Sequence, residues 1–408
     1  MAQSDPYEAL RYPEYRNFLG GALTLTMATQ VQTLAVGWQV WQFTKDPLAL
    51  GLIGLAEAVP FLGLTLVGGY VADRMDRRRL SLAAQALLLL GAVLLLWLSL
   101  GRGPGRAWPF YAIQALAGVA RAFYRPASQA LGTELVPVQI YQNASTWRSS
   151  SFQLAQVLGP ALAGLVYSFS GATNAYLLET VMLVLALAAM VRIAPRPRRG
   201  ALARTSLVKG LGEGVGFVFR HRLLLGSMSL DLFAVLFGGA VMMLPVFASE
   251  VLKVGPAGLG LLRTAPALGS LAMGFWLAHR PPRRRAGLVL LAGVAVFGLS
   301  WIGFALSWSF PLSMALLALS GAVDNVSVVL RNTLVQTHTP PDMMGRVQAV
   351  AGFFIGSSNE VGGFESGLAA RLMGLVPSVV FGGCMTLGVV GVTAWRVPEL
   401  GRMRRMEE

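Results

Sequence analysis

Ionisable residues standing inside long apolar runs are the groups in this chain that could do chemistry. Glu57 lies in the run 48–72, and Arg121 and Arg125 in 107–132. Asp231 lies in 223–248, Asp324 and Arg331 in 310–336, and Glu360 and Glu365 in 345–370. Glu179, in 173–194, is a further acid of this kind. A charge in the centre of a lipid-length helix costs roughly 2.5–3.5 kcal/mol on insertion scales unless it is paired or hydrated. Arg121 and Arg125 are one helical turn apart, and Asp324 and Arg331 are seven residues apart, so each pair shares a helix face. In a hydrated cavity such arginines would bind anionic or oxygen-rich groups, and such carboxylates would take and release protons. Ion pairs between helices would account for the same residues without any substrate. Arg125, Arg331 and Asp231 stand nearer one end of their runs, which suits a gate or a snorkelling side chain. Glu57, Arg121, Asp324 and Glu360 stand deeper and suit a cavity.

The runs that carry these residues dominate the chain. Of 408 residues 55% are hydrophobic and only 13% charged, against about 25% charged in an average soluble domain. Twelve segments are legible: 17–43, 48–72, 80–100, 107–132, 142–168, 173–194, 223–248, 256–279, 286–307, 310–336, 345–370 and 375–397. A spanning helix needs about 20 such residues. The expected fold is therefore an all-α membrane protein with twelve transmembrane helices. Its 47 glycines and 21 prolines suit close helix approach and kinks in lipid. Gly159-Pro160 in the fifth segment is the candidate hinge, because proline frees a backbone carbonyl.

Charge orients the segments. The formal net charge is +14, and lysine occurs only at 45, 209 and 253, so arginine supplies the rest. The arginines cluster in alternate loops: 73–80, 192–222, 279–285 and the tail after 396. The intervening turns are nearly neutral. That alternation places both termini in the cytoplasm of a bacterial-type plasma membrane. Clusters between apolar runs, without interleaved aromatics, argue against nucleic-acid binding. Met1–Tyr15 is polar and is not read as a signal peptide. The single Cys384 excludes a disulfide framework, and His221, His279 and His338 are too scattered for a metal cluster. No G-x-x-x-x-G-K-[ST] is present, so an ATP-driven single chain is excluded. Neither cofactor nor metal is expected, and a proton is the expected coupling ion.

The midpoint loop divides the chain into residues 1–194, a linker 195–222 and residues 223–408. The linker begins Pro195-Arg-Pro-Arg-Arg-Gly200 and turns amphipathic around Leu207–Phe219, which predicts a helix on the inner membrane face. The halves echo each other: Asp73-Arg74…Arg79 ends segment 2, and His279-Arg280…Arg285 ends segment 8. Half-chain repeats are typical of secondary transporters, whose sites lie between repeats.

The densest charge knot carries a resemblance. Gly69-Tyr70-Val71-Ala72-Asp73-Arg74-Met75-Asp76-Arg77-Arg78-Arg79-Leu80 resembles the loop 2–3 signature of the major facilitator superfamily, G-x-L-A-D-R-x-G-R-R/K-x-x-L. Val71 replaces Leu, Asp76 replaces Gly, and Leu80 comes one place early. Stretches such as Ala35-Val36-Gly37-Trp38-Gln39, Asp231 to Gly239, Gly345-Arg346-Val347 and Phe364-Glu365-Ser366-Gly367 look like the branch that holds bacterial enterobactin (siderophore) exporters and macrolide-efflux relatives. The resemblance implies two pseudo-symmetric six-helix bundles, alternating access, and export of a siderophore or drug by proton antiport. Gly159-Pro160-Ala-Leu-Ala-Gly164 matches the antiporter signature in part. The resemblance also implies a cytoplasmic latch: Asp73 faces the start of segment 11 near Gly345, and Arg74 or Arg77 pairs with Glu134. Gly69 and Arg78 complete this gate motif. Expected partners are the lipid bilayer and one small molecule, with the chain acting as a monomer. A facilitated-diffusion or uptake carrier is the alternative, and a membrane sensor or enzyme the more distant one, since no catalytic constellation stands near a membrane face.

Overall fold

The computed structural model describes residues 5–101, 106–195, 207–280, 285–340 and 343–403. Helices follow the apolar runs: α1 (Pro13–Thr44), α2 (Pro47–Arg74), α3 (Arg77–Leu100) and α4 (Trp108–Glu134). The run Tyr141–Val191 is two helices, α5 (141–170) and α6 (172–191), because Gly171 leaves helical geometry at φ 79°, ψ −175°. The amphipathic part of the linker forms α7 (Leu207–Arg220). Then come α8 (Arg222–Gly238), α9 (Gly255–His279), α10 (Ala286–Leu306), α11 (Phe310–His338), α12 (Met344–Met373) and α13 (Leu375–Arg396).

Eight stretches of described residues are long and apolar enough to cross a membrane unaided. One of them, Val138–Val191, holds both α5 and α6. Helices α1, α4 and α12 have 32, 27 and 30 residues. They exceed the hydrocarbon thickness of about 30 Å at 1.5 Å per residue and have lower apolarity because polar and charged residues interrupt them, such as Gln32 in α1, Gln114 and Arg121 in α4 and Glu365 in α12. Together these make twelve spanning helices.

The seventh span departs from the continuous segment expected over 223–248. Its α-helix stops at Gly238, and Gly239 sits at φ −92°, ψ 64°. The span resumes as a 3₁₀ turn at Val241–Met243 and ends in a π turn at Phe247–Val251. A Gly-Gly pair has no Cβ to hold the helix, and Pro245 has no N–H to return to Val241. At Gly159-Pro160, by contrast, α5 remains helical, with Gly159 seated on Gln30 of α1.

The helices group into two compact units. The first comprises residues 1–45, 56–203 and 255–261, and the second residues 46–55, 204–254 and 262–408. In the first, α1 packs on α5 and α6, and α3 on α4 and on the α5–α6 run. In the second, α8 packs on α12 and α13, and α10 on α11 and α13. The packing order is the same seven helices on. The first turns of α2 belong to the second unit, where Gly51 lies against Phe364 and Gly367 of α12 and Asp46 accepts a hydrogen bond from Arg371 at 3.0 Å. The first turns of α9 belong to the first unit, where Gly260 lies against Pro160 and Gly164 of α5. Helix α7 belongs to the second unit: Gly214 lets it approach the backbone of Arg346, whose guanidinium donates to Glu213 at 2.5 Å.

Candidate functional site

The charge knot between α2 and α3 is a built corner. Asp76, at the place where the signature has Gly, caps α3: its carboxylate accepts from the backbone N–H of Arg78 at 2.9 Å and of Arg79 at 3.2 Å. An N-cap of this kind is worth about 1 kcal/mol. Arg77 then donates to Glu134 at the end of α4 at 2.5 Å, half-buried. Arg78 donates to the carbonyl of Val191 at the end of α6 at 2.8 Å. Arg74 stacks over the ring of Tyr70, 3.8 Å from its centroid. The corner thus joins α2, α3, α4 and α6 within the first unit. Asp73 is exposed, and Gly69 is partly exposed with open space at its Cα.

Inside the first unit, Glu57 of α2 and Arg121 of α4 form an ion pair. Glu57 is 6% exposed. Gln114, two turns earlier on α4, also reaches the Glu57 carboxylate at 3.4 Å. Gly118 makes the pair possible, since a Cβ there would collide with the Glu57 carbonyl and with Pro60. Glu179 of α6, 1% exposed, lies within electrostatic reach of Arg121. Arg125 takes a different partner: its guanidinium lies 5.6 Å from the ring centre of Phe61.

Inside the second unit, Asp231 of α8 pairs with Arg331 of α11, both buried. Asp324 of α11 and Asp231 line one small cavity with Phe297 and Ser327. Glu365 of α12 is half-buried beside Ser366. Glu360 is placed in α12 by its backbone, and its side chain lies outside the described residues. Among the described residues, each unit therefore holds an acid–base pair between two helices whose carboxylate is buried, with a second acid close by. Breaking such a pair leaves an uncompensated buried charge, which costs far more than the pair contributes.

Arg263, nine residues into α9, is absent from the sequence-based candidates. Its Nε is buried with no hydrogen-bond partner among the described residues. The signal that finds it is the half-repeat, since Glu57-x-x-Pro60 in α2 answers to Arg263-x-x-Pro266 in α9. No group of His, Cys, Asp and Glu able to hold a metal is present among the described residues.

Two repeated units of membrane-spanning helices, each with an acid–base pair between two of its helices, define a polytopic transport protein. The Major Facilitator Superfamily profile matches residues 16–363, and the chain belongs to that superfamily. It is 26% identical over 401 residues to "Multidrug efflux pump Tap" of Mycolicibacterium fortuitum, covering 94% of this chain and 96% of that one. It is 27% identical over 396 residues to "Enterobactin exporter EntS" of Salmonella choleraesuis, covering 92% and 89%. In fold it resembles the crystal structure of a bacterial homolog of the human lysosomal transporter Spinster, with TM-score 0.72, 14% identity, and 96% and 97% of the two chains covered. The family and these relatives are transporters, the relatives being efflux proteins.

Proposed function

We propose that this chain is a proton-coupled exporter of an amphipathic small molecule, working by alternating access in a bacterial inner membrane with both termini in the cytoplasm. The observation that carries the reading is the acid–base pair with a buried carboxylate in each unit, Glu57–Arg121 and Asp231–Arg331. A carboxylate held by an arginine in a low-dielectric interior gives up its partner when it takes a proton, so protonation and helix separation are linked. Asp324 and Glu179, beside these pairs, are further proton acceptors. Relatives that are efflux pumps support outward transport. Moving one charge down the membrane potential supplies about 2.3 kcal/mol per 100 mV. Asp73, exposed at the α2–α3 corner, is read as the acid of the cytoplasmic latch. The units are read as two bundles, residues 1–194 and 223–408, joined by the 195–222 linker.

The test is dye or siderophore efflux from cells that express the chain, before and after collapse of the proton gradient. Efflux should fall at least tenfold on collapse, and an unchanged rate would sink proton coupling. Asp73→Asn should slow turnover severalfold at normal membrane abundance. Undiminished transport by that variant removes the latch.

A further inference from the structure

The two units repeat one helix crossing residue by residue. In the first, a Cβ on Gly118 of α4 would meet Pro60 of α2, and a Cβ on Gly68 of α2 would meet the carbonyl of Ala122. In the second, a Cβ on Gly321 of α11 would meet Pro266 of α9, and a Cβ on Gly274 of α9 would meet the Asn325 side chain at 3.0 Å. Positions 60 and 68 of α2 thus correspond to 266 and 274 of α9. Positions 118 and 122 of α4 correspond to 321 and 325 of α11. Asn325 fastens the second crossing with a hydrogen bond to the carbonyl of Ser270 at 2.6 Å. The same correspondence takes Glu57 to Arg263 and Arg121 to Asp324. The charges have changed places: acid on α2 and base on α4, but base on α9 and acid on α11.

The two crossings differ in what neutralises the charge. Glu57 and Arg121 neutralise each other. Asp324 instead lines one small cavity with Asp231, which is itself paired with Arg331. Arg263 makes no ion pair among the described residues; its Nε is buried without an acceptor, while the residue as a whole is partly exposed. A cation at that depth in a span costs several kcal/mol without a counter-ion. Packing alone would be served at lower cost by an apolar residue of similar volume. A guanidinium offers a rigid planar fork of donors that matches carboxylate, sulfonate, phosphate or catecholate oxygens two at a time.

We propose that Arg263 is the anchor for an acidic group on the transported molecule. The ligand supplies to the second unit the counter-charge that Glu57 supplies to the first. The substrate class is then an amphipathic organic anion. The assignment rests on the transport reading for its purpose, but the binding it names is measurable without transport.

The experiment uses the purified full chain in nanodiscs and two xanthene dyes of similar size, anionic fluorescein and cationic rhodamine 6G. Fluorescence anisotropy gives the affinity for each, and uptake into proteoliposomes gives transport. Wild type should bind fluorescein more tightly than rhodamine 6G. Arg263→Gln should raise the Kd for fluorescein about tenfold or more and leave that for rhodamine 6G unchanged, as expected for loss of one charge-assisted bidentate contact. Arg263→Lys keeps the charge but loses the fork, so it should raise the fluorescein Kd about threefold. It is also the variant to read if the Gln chain does not fold. Fluorescein affinity unaffected by the variants that fold overturns the proposal, as does equal weakening of both dyes or a wild type without preference for the anion. Selective, Arg263-dependent binding without transport of either dye upholds the anchor and removes the transport reading instead.

Discussion

Single charged residues decide what this membrane interior can do. The positions of Glu57, Arg121, Asp231 and Arg331 are readable in the sequence, because a charge inside an apolar run is conspicuous. Their partners are not. Arg121 and Arg125 share a helix face, yet one pairs with Glu57 and the other lies over Phe61. The choice depends on the register of α2 against α4, which is set by the absence of a side chain at Gly118, and one sequence does not print inter-helix register. Arg263 shows the converse: it is visible in the sequence, but its meaning appears only beside its repeat partner. The Glu57–Arg121 pair yields a prediction. Glu57→Gln leaves Arg121 without its counter-ion and should lower stability by about 3 kcal/mol, the low end for a buried pair because Arg121 is 27% exposed. The exchange Glu57→Arg with Arg121→Glu should recover most of that loss. Thermal melting in detergent measures both, and an exchange no more stable than the single variant would mean that the site is not a pair.

At the scale of helices, composition places each span to within a few residues, and the departures have local causes. The seventh span breaks at Gly238-Gly239 because neither residue offers a Cβ and Pro245 offers no N–H. The α2–α3 corner turns tightly without the glycine of the signature because Asp76 caps α3. The linker helix, legible from its amphipathic pattern, carries a consequence at its end. His221 lies between α7 and α8, with its ring edge-on to His338 of α11 at 5.4 Å and 6.0 Å from Phe217. Burial, and then the neighbouring His338, lower its pKa below the ordinary 6.5. The folded chain therefore binds fewer protons at this site than the unfolded one, and stability rises with pH. The contribution is whole above pH 6.5 and is lost as pH falls through the lowered folded value. Melting temperature should drop between pH 7.5 and 5.5, and His221→Gln should show a smaller drop. The same pH dependence in both proteins would place the titration elsewhere.

Across the whole molecule, the arginine clusters in alternate loops are the clearest sequence signal of topology, and the packing order of α1–α6 repeats in α8–α13. The first turns of α2 and α9, which each join the unit of the other half, were not legible, because the close approaches of Gly51 to Gly367 and of Gly260 to Gly164 leave no pattern in one chain. Orientation is open to direct test through the sole cysteine, Cys384. In a Cys384→Ser background, Arg79→Cys at the α2–α3 corner should react with a membrane-impermeant maleimide only once the membrane is opened. Ser170→Cys at the α5–α6 turn should react from outside in intact cells. The reverse pattern would invert the topology.

That turn has a consequence for how the chain is made. Gly171 alone reverses the backbone, and the buried cluster that joins Ile140 and Ala144 to Met190 and Ile193 brings the far ends of α5 and α6 back together. A one-residue connection leaves no tether for α5 to settle in the bilayer while α6 is still being synthesised. The two helices must leave the insertion machinery as a finished hairpin, so the order of assembly in this half is fixed by one glycine at positive φ.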